Sequence, residues 1–314
     1  MRTRTPRPAA AALLLGAALL TACGSGSGSG ATVPGGPPAP AAPSGATDAA
    51  RLTYPLDGYK PTDEESRGIE RAQALLTADC MKRFGFAYRP PEQPRPARAG
   101  TGSRYGLTDA ANASRYGYAP RGGAAPPGKA PEADLGPTGE LALSGPPVKG
   151  RLPMSLAESE RTDSGRKVNG RKVPVGGCGR EGFLRMYAPR DGAVDALFVF
   201  RLEAEAFAKA RQDPRVARVV ADWSRCMAEQ GYRTDDPISP QEDLGLSQDT
   251  TGGPRAVAAA VRDVACKKRT GLVAVWYAAE VGFQKQAVER NAETLTRTRS
   301  ELDARIRLAA SRKD

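Results

Sequence analysis

Apolar residues recur at spacings of three and four over most of this chain, which is the period of a helix packed on one face. The first such segment opens at Thr62-Asp-Glu-Glu65, a capping box in which the Thr62 oxygen accepts from the N3 amide and Glu65 reaches back. Asp63 and Glu64 suit the positive end of the helix dipole. Ile69, Ala72, Leu76 and Cys80 then share a face, and Gly85 is placed to end the helix after Phe84, with Phe86 returning to Met81 in a Schellman arrangement. The ending recurs: Cys80-Met81-Lys-Arg-Phe-Gly85-Phe86 aligns with Cys226-Met227-Ala-Glu-Gln-Gly231-Tyr232. Every residue type in it has a mechanical reason, as a helix end stapled by a disulfide on one side and a cap contact on the other. A binding signature is the competing reading. A second helix is predicted from about Ala193 to Arg211. Its LFVF run at 197–200 would suit a buried strand, but the Ala- and Glu-rich flanks favour helix. Asp213-Pro214, an N-cap followed by proline at N1, opens a third helix to Gln230, with Val216, Val219, Val220, Trp223 and Cys226 inward. Ser239-Pro-Gln-Glu242 reads as another capping box. From Pro254 to about Ser311 a mostly apolar stripe continues through 264, 272, 276, 279, 287, 295 and 302, interrupted only by Gly271 and Gly282. At about 1.5 Å per residue this last helix would reach about 80 Å.

Two stretches lack this pattern. Residues 24–50 begin GSGSGSG and continue in Pro, Gly, Ala and Ser, a tether that forms no core. Residues 90–153 hold 23 Gly or Pro in 64, a level that marks disorder, and 154–176 are polar and basic and read as loop. The predicted fold is mainly α: a small disulfide-stapled helical bundle with one long C-terminal helix, plus disordered Pro/Gly-rich segments. In domain terms this is a leader at 1–22, a tether at 23–50, and a helical region at 51–314 interrupted by low-complexity loops at about 90–175.

The first 23 residues change the setting. Arg2, Arg4 and Arg7 precede the apolar run 9–20, which leads into Leu20-Thr21-Ala22-Cys23. This is the layout of a secretory signal. Twelve apolar residues are too few for a bilayer that needs roughly 20. Leu-Thr-Ala-Cys resembles the lipobox of bacterial lipoproteins, which implies cleavage before Cys23 and lipidation of its thiol. The protein is therefore expected on the outer face of the cell membrane, held by acyl chains. Loss of the three leader arginines takes the net charge from +11 to +8, a balance that favours anionic neighbours such as phospholipid headgroups or wall polymers. An exported chain rarely meets nucleic acid, and no nucleic-acid partner is expected.

Four further cysteines, Cys80, Cys178, Cys226 and Cys266, suggest two disulfides in an exported protein. Zinc would call for close-spaced ligands, often His. The chain has no His and no CxxC, so no metal or cofactor is expected, and Ser-His-Asp and Cys-His chemistry are excluded. Of three pairings, the preferred one joins Cys226 to Cys266 and Cys80 to Cys178. It rests on an antiparallel hairpin that sets the end of helix 214–230 beside the start of the last helix, and on Cys178 lying in the flexible Gly176-Gly-Cys-Gly179 loop. The rival pairing joins Cys80 to Cys226 and Cys178 to Cys266.

One island breaks the low-complexity region: Ser103-Arg-Tyr-Gly106 recurs as Ser114-Arg-Tyr-Gly117, with Thr108 placed to cap a two-turn helix between them. Arg104, Tyr105, Arg115, Tyr116 and Tyr118 are the candidate ligand contacts, suited to stacking on a sugar or binding a phosphate. The alternative is that the tyrosines fill a gap on the helical core. Glu181, Asp222, Asp263 and Glu280 are the only nameable catalytic carboxylates, and no spacing singles them out. Asp263 and Lys267 are expected to pair on the helix surface, and Trp223 and Trp276 to lie in the core.

Cys226-Met227, Gly231-Tyr232 and the string Asp263-x2-Cys266-Lys267-x3-Gly271-Leu272-x3-Trp276, taken with the lipobox, resemble a group of uncharacterised secreted lipoproteins of high-GC Gram-positive bacteria, the actinobacteria. The resemblance spans the lipobox and roughly 52–310. It implies membrane attachment and a small helical ectodomain, and it transfers no catalytic residue. The expected function is that of a non-enzymatic envelope module for anionic cell-wall polymer or an envelope protein. A solute-binding or transport-accessory lipoprotein is the alternative, although the chain lacks the alternating β and α segments of two-lobed binding proteins.

Overall fold

A computed structural model describes residues 49–89, 104–120, 134–148 and 150–312. The leader, the tether and Cys23 lie outside the described residues. Among those described, the fold is helical, with two disulfides and one two-stranded antiparallel ribbon.

Helix α1 (Asp63–Arg83) has both arms of the expected capping box: Glu65 N–H donates to Thr62 Oγ1 at 3.2 Å and Thr62 N–H to Glu65 Oε2 at 2.8 Å. Its end is the predicted Schellman turn, with Gly85 at φ 86° and Phe86 N–H donating to Met81 O at 3.1 Å. The sister ending repeats it, Tyr232 N–H donating to Met227 O at 3.0 Å. The shared sequence stretch is thus a shared mechanical device.

Among the described residues, the two stretches read as low-complexity and loop are more ordered than their composition predicts. The glycine- and proline-rich one contains α2 (Ala110–Tyr116) and α3 (Gly136–Ser144), and the polar, basic one contains α4 (Leu156–Arg161) and the ribbon of β1 (Lys167–Val168) and β2 (Arg171–Lys172). Asp109, rather than Thr108, caps α2 by accepting from the amides of Ala111 and Asn112. Ser155 caps α4. The ribbon turns at Asn169-Gly170, with φ 47° and 75°. Positive φ at both central residues is the signature of a two-residue hairpin whose twist matches its strands. Short elements of this kind escape periodicity, because a six- to nine-residue helix shows barely two turns of pattern.

Cys178 is also more regular than expected. It lies in the first turn of α5 (Gly177–Tyr187) instead of an irregular loop. The glycines around it serve close packing: a Cβ on Gly177 would lie 2.3 Å from Leu143 O, so the end of α3 rests on the backbone that starts α5. α5 runs antiparallel to α1. Cys178 joins Cys80 with Cα atoms 5.4 Å apart, Gly182 faces Thr77, and Met186 packs with Ile69, Ala72 and Leu76.

α6 (Phe198–Arg211) starts later than expected, after Asp195 accepts from Leu197 N–H, and its Val199 is buried while Phe200 is exposed. Asp213 caps α7 (Pro214–Glu229) as predicted. α8 (Pro240–Asp243) is a single turn without a side-chain cap. Ser239, at φ −127° and ψ 52°, is outside the extended conformation from which a capping residue accepts, so the second capping box does not form.

The C-terminal run is helical from Pro254 to Ser311 but is divided at two single residues into α9 (Pro254–Thr270), α10 (Leu272–Arg290) and α11 (Ala292–Ser311). Gly271 turns left-handed at φ 69°. At Asn291 the side-chain amide donates to Ala287 O at 2.8 Å, a local bond that competes with the helical ladder. Gly282 stays helical.

α10 is the central element. Phe207 of α6 stacks on its Trp276, while Val199 and Leu202 cluster with Ala287, so α6 lies antiparallel along it. The relation of α7 to α9 differs from the predicted hairpin. Trp223 bonds Asp263, Cys226 is joined to Cys266, and Glu229 pairs with Arg269. A constant offset along both helices means that they run parallel here. The preferred cysteine pairing is the one present, but its premise is not: Cys266 lies near the end of α9, and the 24 residues between the helices carry the chain back.

Candidate functional site

The Arg-Tyr island is the unusual part of the structure, because most of it is inside. Residues 104–107 lie across two buried charge centres on consecutive helices. At the first, on α10, Glu280 is fully buried. Arg104 Nε reaches its two oxygens at 2.9 and 3.0 Å, and Arg104 Nη2 also donates to Oε1. Tyr105 OH donates to Glu280 Oε2 at 2.9 Å, and Gln284 Nε2 to Oε1 at 2.9 Å. Gln284 in turn accepts from Leu56 N–H. Burial alone would lower the Arg104 guanidinium, but the bonds and charge of Glu280 hold it above its ordinary value. Burial, reinforced by Glu280, pushes the Tyr105 phenol far up and keeps it neutral. The guanidinium also lies 4.9 Å over the Tyr54 ring and 5.4 Å over that of Phe207.

At the second centre, on α9, Asp263 and Lys267 are 0% and 2% exposed and 3.0 Å apart. They do pair, but in the interior rather than on the helix surface. Trp223 Nε1 donates to Asp263 at 3.0 Å, and Lys267 Nζ donates to Leu107 O at 3.0 Å. Burial pushes Asp263 up and Lys267 down, each opposed by the other's charge. Gly106 makes the passage between the centres possible. At φ 76°, a Cβ there would lie 2.0 Å from Pro237 O. Lysine is rarely buried unless paired, and residues near 107 are too remote in sequence from 263 for spacing to reveal this site.

The candidate ligand contacts therefore separate. Tyr105 is fully buried and is not a surface contact, and Arg104 is committed to Glu280. Tyr118 packs on Ala113, Ala260 and Val264, behind the end of α2. Arg115 is exposed, with its guanidinium 5.2 Å over the Tyr116 ring, so these two remain at the surface. Trp223 and Trp276 are core residues, as expected.

The four carboxylates do not converge. Glu181, on α5, is held by Arg83 at 2.5 Å and Arg185 at 2.7 Å. Asp263 and Glu280 belong to the two centres above, and Asp222 is a half-buried partner of Arg225. Among the described residues no group of His, Cys, Asp and Glu is arranged to hold a metal ion. Two surface grooves flank α11, one floored by Ile306 and Ala309 against α1.

The basic ribbon was not singled out by sequence reasoning. Arg166, Lys167, Arg171 and Lys172 are all exposed on it, while Val168 and Val173 are buried beneath with the Cys80–Cys178 bridge. The cue was the repeat of Arg-Lys-Val on either side of Asn169-Gly170.

No protein-family model, curated protein or solved structure matches this chain.

Proposed function

We propose that this chain is a membrane-anchored, extracytoplasmic lipoprotein whose helical domain is a non-enzymatic interaction module of the cell envelope. One observation chiefly supports the non-enzymatic part. The buried carboxylates that would be natural catalytic groups are each closed off by a cation and further hydrogen-bond donors. Glu280 is enclosed by Arg104, Tyr105 and Gln284, and Asp263 by Lys267 and Trp223. Such networks order a core without leaving a group free to meet a substrate. The reading of location rests on the leader and on Leu-Thr-Ala-Cys23. No helix among the described residues is long and apolar enough to cross a membrane. Attachment is assigned to the acylated cysteine on the strength of the Leu-Thr-Ala-Cys23 motif. Two acyl chains, at about 0.8 kcal/mol per buried CH₂, exceed the marginal hold of one.

The test is fractionation of cells expressing the intact chain or Cys23→Ser. The parent should sediment with membranes in high salt, and the variant should be released or remain unprocessed. A Cys23→Ser protein that still sediments with membranes in high salt removes the lipoprotein assignment. Cross-linking in intact cells, followed by recovery of the chain, then identifies its neighbours without assuming a ligand. Recovery of a turned-over small molecule in place of a polymer or protein would count against the non-enzymatic reading.

A further inference from the structure

We infer that the end of the molecule formed by the β1–β2 ribbon and the adjoining loop before α4 is a membrane-contacting surface for anionic phospholipid. The inference builds on the membrane-anchored reading above but stands on different residues.

The ribbon first. Its register places Lys167 directly opposite Lys172, and Val168 opposite Arg171. Like charges facing each other across a strand pair destabilise it. Asp163, at 3.0 Å from Lys172, is the carboxylate paired with this cluster. The ribbon is nevertheless held firmly. Asn169 Nδ2 donates to Phe84 O at 2.6 Å, Ser164 Oγ to Val173 O at 2.6 Å, and the two valines sit in the disulfide-stapled core. Lys82, exposed in the last turn of α1, adds a cation two residues before the carbonyl that the turn grips. A firmly held backbone keeps these cations close together, so their repulsion is a cost that anionic headgroups would relieve.

The neighbouring loop supplies the second observation. Val148, Leu152 and Met154 are exposed at 38%, 39% and 59%, three of the six large exposed hydrophobics among the described residues. Gly145 and Leu152 lie against Gly176 at the start of α5, where the ribbon ends, and Arg180 donates to Pro153 O at 2.6 Å. The cationic ribbon and these exposed apolar side chains thus belong to segments that meet at the start of α5. This is the combination that lies in a bilayer interface, where cations meet headgroups and apolar groups enter the acyl boundary. A wall polymer would need the charges but leaves Met154 and Leu152 unexplained.

The test uses the chain from Gly24 onward, which retains every described residue and lacks Cys23, so that lipidation plays no part. It should cosediment with phosphatidylcholine vesicles containing phosphatidylglycerol and not with phosphatidylcholine alone. Lys167→Gln/Arg171→Gln/Lys172→Gln should weaken binding at least tenfold, since each cation near an anionic surface counts substantially. Met154→Ser should weaken it severalfold. Arg218→Gln/Arg262→Gln/Lys268→Gln, with the same loss of charge on α7 and α9, should bind like the parent. Circular dichroism and an intact Cys80–Cys178 bridge establish that the ribbon variant is folded. Equal binding by the two triple variants, or binding to purified wall polymer and not to vesicles, overturns the inference. Cys23→Ser fractionation is unaffected by either result, so the two readings fail separately.

Discussion

Lys267 shows how a single residue can be both readable and misread. Its i,i+4 relation to Asp263 is plain in the sequence, but burial depends on what covers the helix, and the cover is the strap 104–107. The pair marks a place where the fold depends on charge balance. Removing one member of a buried pair costs about 3–5 kcal/mol, because the other is left desolvated and uncompensated. Lys267→Met should therefore lower stability by that order in urea unfolding. Lys267→Met/Asp263→Leu, which removes both charges, should cost clearly less. If the double replacement is as damaging as the single one, packing rather than charge dominates the site.

At the scale of elements, legibility followed length and local chemistry. α1, α7 and the C-terminal run were readable because each shows several turns of apolar period, and α1 and α7 add a cap whose residues act within four positions. The two breaks at Gly271 and Asn291 were half readable: a glycine at 271 was visible as a weakness, while Gly282 looked the same and stayed helical. The ribbon, α3 and the start of α5 were missed because their order comes from distant partners, such as Phe84 O for Asn169 and Leu143 O for Gly177. The parallel course of α7 and α9 was not legible, since the intervening 24 residues fit either direction. The Asp213 cap gives this scale its own test. Bonds from the Arg215 side chain, with its backbone amide and charge, hold the Asp213 carboxyl below its usual value against the opposing effect of burial. A depressed folded value means that the folded state binds the proton less readily than the unfolded chain. Its stabilisation is therefore present above the unfolded value of about 3.9 and is lost as pH falls through and below it. Asp213→Ala should cost about 1 kcal/mol at neutral pH. Asp213→Asn, which keeps a capping oxygen but not the charge, should cost less and flatten the decline below about pH 4. A decline unchanged in Asp213→Asn would place the acid sensitivity elsewhere.

Across the whole molecule, two stapled bundles are joined along α11. One gathers α1, α3, α5 and the ribbon around Cys80–Cys178. The other gathers α7, α9 and α10 around Cys226–Cys266 and the two tryptophans. α11 belongs to both neighbourhoods: Leu302 packs with Ile69, Leu76 and Met186, whereas Leu295 packs with Leu202 and Ala287. The bridges close spans of 98 and 40 residues, little more than one doubling apart. Loop-closure entropy grows by only about 0.6 kcal/mol per doubling, so each bridge should contribute a similar amount, roughly 2–4 kcal/mol. Their local effects should differ. Cys80→Ser/Cys178→Ser should raise amide exchange in α5 and the ribbon while α7, α9 and α10 keep their protection, because sub-global opening follows contiguous packed units. Cys226→Ser/Cys266→Ser should show the converse, loosening α7 and α9 first. If either double variant raises exchange evenly through both bundles, α11 couples them too tightly to open apart. The ribbon's cations would then be ordered by the whole core rather than by the nearer bridge.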